Sequence, residues 1–530
     1  MKTLFRFVFR MSLMIIFLIW LLSSCSDSRQ YQITLIDDQS GEQLAARVNV
    51  TDACGKTIDI DGTPSKVQYK GKQWCYTDGS FTITTQKKGS ILEIHRGFET
   101  LPLKISLDDG SGKQVIKLHR WTDMHEKGYT NGDVHVHYPY SETAYLQMKA
   151  EDLDVINILI CEDTVNDKRF TGQRDTASSP ERAIYMDQEV RDWHMGHLTL
   201  VGINSLNPGY PYVGGSLKNE GNDHWLMAHA MDETHRQGGL VFWSHFSNLP
   251  GAESPIAIAL GKVDALELLT YNDPTHLPSH WSPWLKSGMS QAEFPIMRGM
   301  DLYYQYLNAG FRLPIVAGTD KGDYGFIPMG SNRYYANTKG DRSYKAWLDA
   351  IKSGTGFVTN GPLVHFQVGD YNPGDVIDFH HPIKVNAKFS VQSVLPFTNI
   401  EIIVNGRVVE RNINFSRDIQ PVDGIYAMEL ETELVIDKSS WVAARVADDP
   451  DNIYRILPRG LTVFAHTNPI YFLKDGARVY EEASVLYLQK YVEGTINWLN
   501  TDPAFNHPED RLEALKLAKS AYGIYESLKQ

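Results

Sequence analysis

The stretch Asn131-Gly132-Asp133-Val134-His135-Val136-His137 sets two imidazoles two residues apart inside an apolar run. On a β-strand, positions i and i+2 face the same side. His135 and His137 would therefore converge on one point, as a divalent ion requires of its first two ligands. An isolated H-x-H says little, but further metal-capable side chains follow at the ends of apolar runs. Glu162 and Asp163 come after Ile160-Cys161, Glu189 lies in Met186-Asp187-Gln188-Glu189-Val190, and His197 opens Leu198 to Val201. His245 follows Leu240 to Trp243, and Asp320 closes Ile315-Val316-Ala317-Gly318-Thr319. Neutral imidazoles with carboxylates suit Zn²⁺, Mn²⁺ or Fe²⁺. Several carboxylates can bridge two ions, which activates water and clamps a leaving oxygen. The expected cofactor is one or two divalent ions.

The elements that must position these groups are apolar strands alternating with helical stretches. Val155 to Ile160, Leu198 to Val201, Leu240 to Trp243, Val263 to Thr270 and Leu313 to Ala317 read as buried strands. Trp225 to His235 and Arg298 to Asn308 carry helical spacing. Such alternation over residues 121–372 predicts an α/β domain with a parallel sheet, closed as a barrel, whose chemistry gathers at the C-terminal ends of the strands. Asp133 precedes the first candidate ligand and is expected to support it from behind. Arg333 either binds a substrate anion through its fork of donors or pairs with an acid. Lys321 either steadies a developing oxyanion or is solvated. His224, His229 and His235 sit in or beside a helix, and His276 and His280 in a loop; none is expected to ligate.

Two β-rich segments flank this region. Residues 31–120 alternate apolar and polar in short runs broken by Gly and Asp turns, the pattern of a small β-sandwich. Residues 373–470 alternate again, with an Asn405-Gly406 hairpin turn between Ile402-Ile403-Val404 and Arg407-Val408-Val409. Residues 471–530 form a helical tail. In its last helix Leu512, Leu515, Ala518, Tyr522 and Tyr525 recur three or four apart and predict one buried face. Cys54 and Cys75 could pair in an oxidising compartment, and Cys161 reads as a buried core thiol.

The first residues read as an address. Lys2, Arg6 and Arg10 lead an apolar run from Ser12 to Leu22, shorter than the roughly 20 apolar residues of a spanning helix. The run ends in Leu22-Ser23-Ser24-Cys25, which resembles the lipobox of bacterial lipoproteins, with 1–24 as signal peptide, Cys25 as the lipidated residue and 25–30 as a tether. Removing the three cations of that leader from a net charge of −13 leaves −16. Such an excess disfavours nucleic acid as a partner. The expected location is the bacterial cell envelope, with the membrane contacted through the lipid at Cys25.

The order H-x-H, an acid at a strand end, E with a nearby G-H, S-H, then G-T-D resembles the PHP (polymerase and histidinol phosphatase) superfamily. Gly132 to His137, Ala317-Gly318-Thr319-Asp320, Gly330-Ser331-Asn332-Arg333 and Phe357-Val358-Thr359-Asn360-Gly361-Pro362 look like its CehA/McbA-type metallohydrolase branch. The segment 31–120 resembles carboxypeptidase-regulatory-like β-domains. The resemblance implies a distorted (β/α)7 barrel. It implies His135, His137 and Asp320 on one metal, Glu189 bridging, and His197 and His245 on a second. Asp163 falls where many members carry a histidine, and Glu162 and His194 remain alternatives to Asp163 and His197. Asp320-Lys321-Gly322 lacks the histidine that many members place after the aspartate, so one or two ions are implied instead of three. The implied activity is metal-dependent hydrolysis of a phosphoester, carboxyl ester or carbamate. A surface protein that binds glycan or peptide through its β-domains is the other class.

Overall fold

The computed structural model describes residues 29–529 except 61–62, 64, 70–71, 86–88, 108–111, 139, 162–167, 209–223, 247–250, 271–298, 323–326, 414–419, 448–462 and 502–504. The leader, Cys25, Glu162, Asp163, His276 and His280 lie outside the described residues.

Eight strands open the chain: β1 Arg29–Asp37, β2 Ala46–Thr51, β3 Ser65–Tyr69, β4 Lys72–Thr77, β5 Ser80–Thr85, β6 Ile91–His95, β7 Leu103–Ser106 and β8 Gly112–Leu118. β1 turns Tyr31, Ile33 and Leu35 inward at every second residue, as the pleat requires. Two sheets, β5-β1-β8 and β3-β4-β2-β6-β7, share one core of Tyr31, Ile33, Val48, Ile83, Leu92 and Ile94. Cys75 is buried in β4 while Cys54 is exposed, and both are free thiols. Buried ion pairs from Arg47 to Glu151 and from Arg96 to Asp152, each 2.6 Å, fasten this unit to the next.

The central region runs β9 Tyr129–His137, α1 Ser141–Ala150, β10 Val155–Ile160, β11 Ala183–Asp192, β12 Gly196–Val201, α2 Met227–Arg236, β13 Leu240–Trp243, α3 Ser254–Ala259, β14 Ala265–Leu269, α4 Gly299–Asn308, β15 Ile315–Ala317, β16 Lys321–Gly322, β17 Arg333–Asn337, α5 Tyr344–Ser353 and β18 Gly356–Thr359. There follow β19 Leu363–Val368, β20 Val376–Phe379, β21 Ile383–Ser393, β22 Asn399–Val404, β23 Arg407–Ile413, β24 Tyr426–Ile436, β25 Ser440–Ala447, β26 Phe464–Thr467 and β27 Ile470–Lys474, then α6 Glu482–Thr501 and α7 Pro508–Ser527.

The expected (β/α)7 barrel is not formed. Most of these strands make one mixed sheet in the order β15-β14-β13-β12-β11-β10-β9-β17-β18-β26-β25-β22-β23, with β16, β20 and β27 paired off that path, and it passes from the central region into the C-terminal strands without a break, while β19-β21-β24 form a separate sheet. Pairing is parallel along β9, β10 and β11 and again along β13, β14 and β15. It is antiparallel at β11/β12, β12/β13, β9/β17 and β17/β18. At β11/β12 the reason is connection length. Only Trp193, His194 and Met195 join β11 to β12, whereas a parallel crossover needs a dozen residues or more. An apolar strand reads the same whichever way its neighbour runs.

α6 and α7 form an antiparallel pair that packs back onto the central region. Tyr491 donates to the Gly251 carbonyl at 2.7 Å, Thr495 to that of Ala252 at 2.9 Å and Tyr525 to that of Pro255 at 2.8 Å. The buried stripe of α7 is Asp510, Ala514, Ala518, Ala521 and Tyr525, while Leu512 is 70% exposed. Ala518 and Tyr525 of the expected face are buried, Leu515 and Tyr522 pack partly against the core, and only Leu512 turns outward. Among the described residues no helix is long and apolar enough to cross a membrane.

Candidate metal centre

Alternate residues of neighbouring strands turn polar side chains onto one face of the central sheet. β9 contributes Asp133, His135 and His137, β11 contributes Asp187 and Glu189, β12 contributes His197 and Thr199, and β14 contributes Glu267. Against such surroundings an unpartnered polar group is costly, so the hydrogen bonds of each ring are informative.

His135 is fully buried, and its Nδ1 lies 2.9 Å from Oε2 of Glu267. His137 points its Nδ1 at the Leu159 carbonyl, 3.0 Å away. A carbonyl can only accept, and an ionised carboxylate can only accept, so both Nδ1 atoms carry the proton. In the neutral rings both Nε2 atoms are then lone-pair sites, and they face each other at 3.1 Å. Oδ1 of Asp320 stands 3.4 Å from the first and 3.2 Å from the second. Oε1 of Glu189 lies 3.6 Å from Nε2 of His135, 3.3 Å from Nδ1 of His197 and 3.3 Å from Nε2 of His245. Its Oε2 lies 3.4 Å from Nε2 of His137. Both oxygens of Glu189 and both ring nitrogens of His197 are buried without a hydrogen-bond partner among the described residues. Acceptors converging on one volume at these separations are the donor set of a cation. Their ligand atoms fall into the overlapping groups His135/His137/Asp320 and His135/Glu189/His245, so the residues fit one or two divalent ions.

The acids of the cluster favour positive charge among the rings, whether it comes as ring protons or as an ion. Burial alone would favour a neutral His135, but the carboxylates of Glu267, Asp320 and Glu189 hold it well above the ordinary imidazole value. Burial opposes ionisation of Glu189 too, yet His135 and Arg191 hold it well below the usual carboxylate range. Asp320 is brought down to about 2 by His135, His137 and His245 against its burial. Burial pushes His197 down to about 4.

Two of these residues sit in the left-handed region, His245 at φ 34° and Asp320 at φ 47°. Such backbone costs on the order of 1–3 kcal/mol per residue and persists only where its surroundings fix it. The fixing bonds belong to the cluster itself. The His245 amide donates to Oε2 of Glu267 at 3.1 Å, and the Asp320 amide donates to the His135 carbonyl at 2.8 Å. Asp133 accepts from the amides of His135, Thr319 and Gly330 at 3.1, 3.0 and 2.9 Å and from the Thr319 hydroxyl at 2.5 Å, and burial pushes its carboxyl up to about 6. It thereby ties β9 to the end of β15. Gly318 permits this approach, since a Cβ there would stand 2.4 Å from the Cβ of His135.

The structure thus brings together His135, His137, Glu189, His197, His245 and Asp320. Asp163, with its alternative Glu162, lies outside the described residues. Arg333 is not brought to the cluster: its Nε donates to the Gly330 carbonyl at 2.6 Å, its Nη2 to that of Glu151 at 3.0 Å, and its plane lies 4.2 Å over Phe98. Lys321 is buried, donates to the Gly322 carbonyl at 3.0 Å and lies 5.8 Å from the Tyr138 ring. His194 stands in a separate group with Asp192 and His224.

Three neighbours were not anticipated. Glu267 is a lone acid within Ala265-Leu266-Glu267-Leu268-Leu269, and a charge in an apolar strand was the available signal. Arg191 lies two residues beyond Glu189 on the same face, with Nε 3.4 Å from Oε2 of Glu189. Cys161 is not a core thiol; it is half-buried with Sγ 3.8 Å from Nδ1 of His137.

No protein-family model matches the chain, and no curated protein matches it. Among solved structures, it is similar to the lesion-specific endonuclease PfuEndoQ from Pyrococcus furiosus at 14% identity, covering 42% of this chain and 56% of that one, with a TM-score of 0.26. A second likeness is to Endonuclease Q in complex with a 27-mer duplex substrate bearing an abasic lesion, at 11% identity, the same coverages and a TM-score of 0.25. The chain spans little more than half the length of these solved chains, and at such TM-scores the likeness carries no argument about fold or activity.

Proposed function

We propose that this protein is a metal-dependent hydrolase acting on a small phosphoester, with carboxyl ester and carbamate cleavage next in order. The observation that carries this reading is the pair of Nε2 atoms of His135 and His137, 3.1 Å apart with both Nδ1 atoms committed elsewhere, beside Glu189 and Asp320. A divalent ion held there supplies Lewis acidity and lowers the pKa of a water toward neutrality. His135, His137 and Asp320 would hold an ion on one side of the cluster, and His197 and His245 on the other, with Glu189 within reach of each group. Arg191, which takes the role first considered for Arg333, places a fixed positive charge beside Glu189 where negative charge develops on the substrate. Asp320 and His245, on strained backbone held by the cluster's own hydrogen bonds, keep their side chains aimed inward without reorganisation. The motif order that resembles the PHP superfamily supports the same chemistry, and the basic leader ending at Cys25 supports a lipid-anchored protein of the cell envelope.

The test uses the full chain and a His135→Ala/His137→Ala variant. Zn, Mn and Fe per chain are measured, and turnover is followed on aryl phosphomonoesters, phosphodiesters, carboxyl esters and carbamates, with an abasic-site DNA duplex as a further arm. The expected result is one or more ions per chain reduced in the variant, with metal-dependent turnover of a small phosphoester that the variant lacks. Equal metal content in both proteins, or turnover that survives the variant, overturns the reading. Turnover of the duplex alone would replace the small-substrate assignment.

A further inference from the structure

We infer that helix α6 is a positioning clamp for the candidate metal centre: Tyr491 and Thr495, acting through Gly251 and Ala252, fix the β11–β12 turn and with it the aim of His197. The inference rests on the proposed reading of His197 as a metal ligand.

The rings of the cluster are not held alike. Nδ1 of His135 is tied to Glu267, and that of His137 to the Leu159 carbonyl. Partners of this kind, standing behind a ligand, fix the direction of its ring. His197 has none: both of its ring nitrogens are buried without a hydrogen-bond partner among the described residues. Its neighbours, Oε1 of Glu189 at 3.3 Å and the His245 ring at 4.8 Å between centres, belong to the cluster itself. The direction of the His197 ring therefore depends on its backbone. That backbone follows directly on the turn, since Asp192 pairs with Gly196 and Arg191 with His197.

The turn is gripped from outside the sheet pairing. The Ala252 amide donates to the His194 carbonyl at 2.7 Å, and the Glu253 amide to the Met195 carbonyl at 3.0 Å. Gly251 lies against the same place, where a Cβ would collide with the Met195 carbonyl oxygen and with Cα of Gly196. A Cβ on Gly196 would collide in turn with the Trp243 ring, so the residue before His197 is closely packed.

The gripping segment hangs from α6. The Tyr491 hydroxyl donates to the Gly251 carbonyl at 2.7 Å and the Thr495 hydroxyl to the Ala252 carbonyl at 2.9 Å, with both side chains buried. The two donors stand four residues apart, about one turn of the same helix, so one rigid element presents both. The path from α6 to the turn before His197 thus runs through consecutive buried hydrogen bonds. Neither hydroxyl touches a candidate ligand. The third bond of the tail, from Tyr525 of α7 to the Pro255 carbonyl at 2.8 Å, falls beyond the residues that grip the turn and serves as a control.

The experiment uses the full chain, with Zn²⁺ alone as the probe. Tyr491→Phe/Thr495→Val removes both hydroxyls and nearly keeps both shapes. It is expected to weaken Zn²⁺ about 10-fold, the low end of what groups behind a ligand are worth, in the binding that His197→Ala also weakens. Added to His197→Ala, the same two substitutions are expected to change Zn²⁺ affinity by less than about 2-fold, because the ring they aim is gone. Tyr525→Phe is expected to lower the melting temperature in chelator and to leave Zn²⁺ affinity at the wild-type value. Wild-type affinity in Tyr491→Phe/Thr495→Val overturns the clamp. An equal loss in Tyr525→Phe, or a full loss that persists beside His197→Ala, assigns the effect to general destabilisation and overturns it too. Zn²⁺ binding that His197→Ala does not weaken removes His197 from the ligands and the clamp with it, while the His135→Ala/His137→Ala variant judges the rest of the centre separately.

Discussion

Glu267 accepts from Nδ1 of His135 at 2.9 Å, with neither side chain exposed to solvent. The same Oε2 accepts the amide of His245 at 3.1 Å. One carboxylate oxygen therefore sets the tautomer of one candidate ligand and the backbone of another. This arrangement yields the first prediction. Glu267→Gln can present its amide nitrogen to His135 and reverse the ring's tautomer, and carboxylates placed behind metal-binding histidines are typically worth about 10- to 100-fold in metal affinity. Metal titration of Glu267→Gln should show a loss of that size with an unchanged circular dichroism spectrum. Affinity equal to wild type would remove Glu267 from the site.

Asp320 occupies φ 47°, which Asn and Asp tolerate better than Ala. Asp320→Asn and Asp320→Ala both remove the carboxylate and should both weaken metal binding. Only the alanine adds the backbone penalty, so it should unfold about 1 kcal/mol more easily than the asparagine variant in denaturant titration. Equal midpoints would mean that the left-handed backbone relaxes at no cost.

Glu253 caps α2 from a distance. Leu226 precedes that helix and offers no side-chain acceptor, while the Glu253 carboxylate takes the amides of Met227 at 3.1 Å and Ala228 at 3.0 Å. Glu253→Ala leaves both amides buried without partners, and at about 1–3 kcal/mol for each unsatisfied donor the fold should lose about 2–6 kcal/mol. A loss below about 0.5 kcal/mol would mean that water enters to replace the carboxylate.

His125 supplies a pH-dependent stabilisation far from the metal centre. Its Nε2 lies 2.8 Å from Oδ2 of Asp154, and the hydrogen bond to Asp154 raises its pKa above 6.5 against the opposing effect of burial. A raised folded-state pKa means that the stabilisation is complete below pH 6.5 and is lost as pH rises through the folded value. Wild type should exceed His125→Gln by about 1.5–3 kcal/mol at pH 5.5, a usual range for a hydrogen bond to a charged group. The gap should narrow toward pH 9. A gap independent of pH would assign the effect to packing.

The spacing of residues in the chain determined much of the chemistry. Two-residue alternation placed His135 with His137 on one side of a strand, and apolar runs bounded by His197, His245 and Asp320 marked where those side chains would emerge. Both are local properties of a pleated strand, so they are legible without the fold. Strand direction was not: the path β13-β12-β11 is antiparallel, and only the sheet itself replaced the expected barrel with a mixed order that runs on into β26 and β25. Nor could spacing say that Arg333 would spend a donor on the Glu151 carbonyl, 182 positions away, or that Glu267 would reach across 132 positions to His135. Those partners are far apart in sequence and adjacent only after packing. A side chain's type states what it can bond, while the tertiary structure alone decides which buried acceptor it must satisfy.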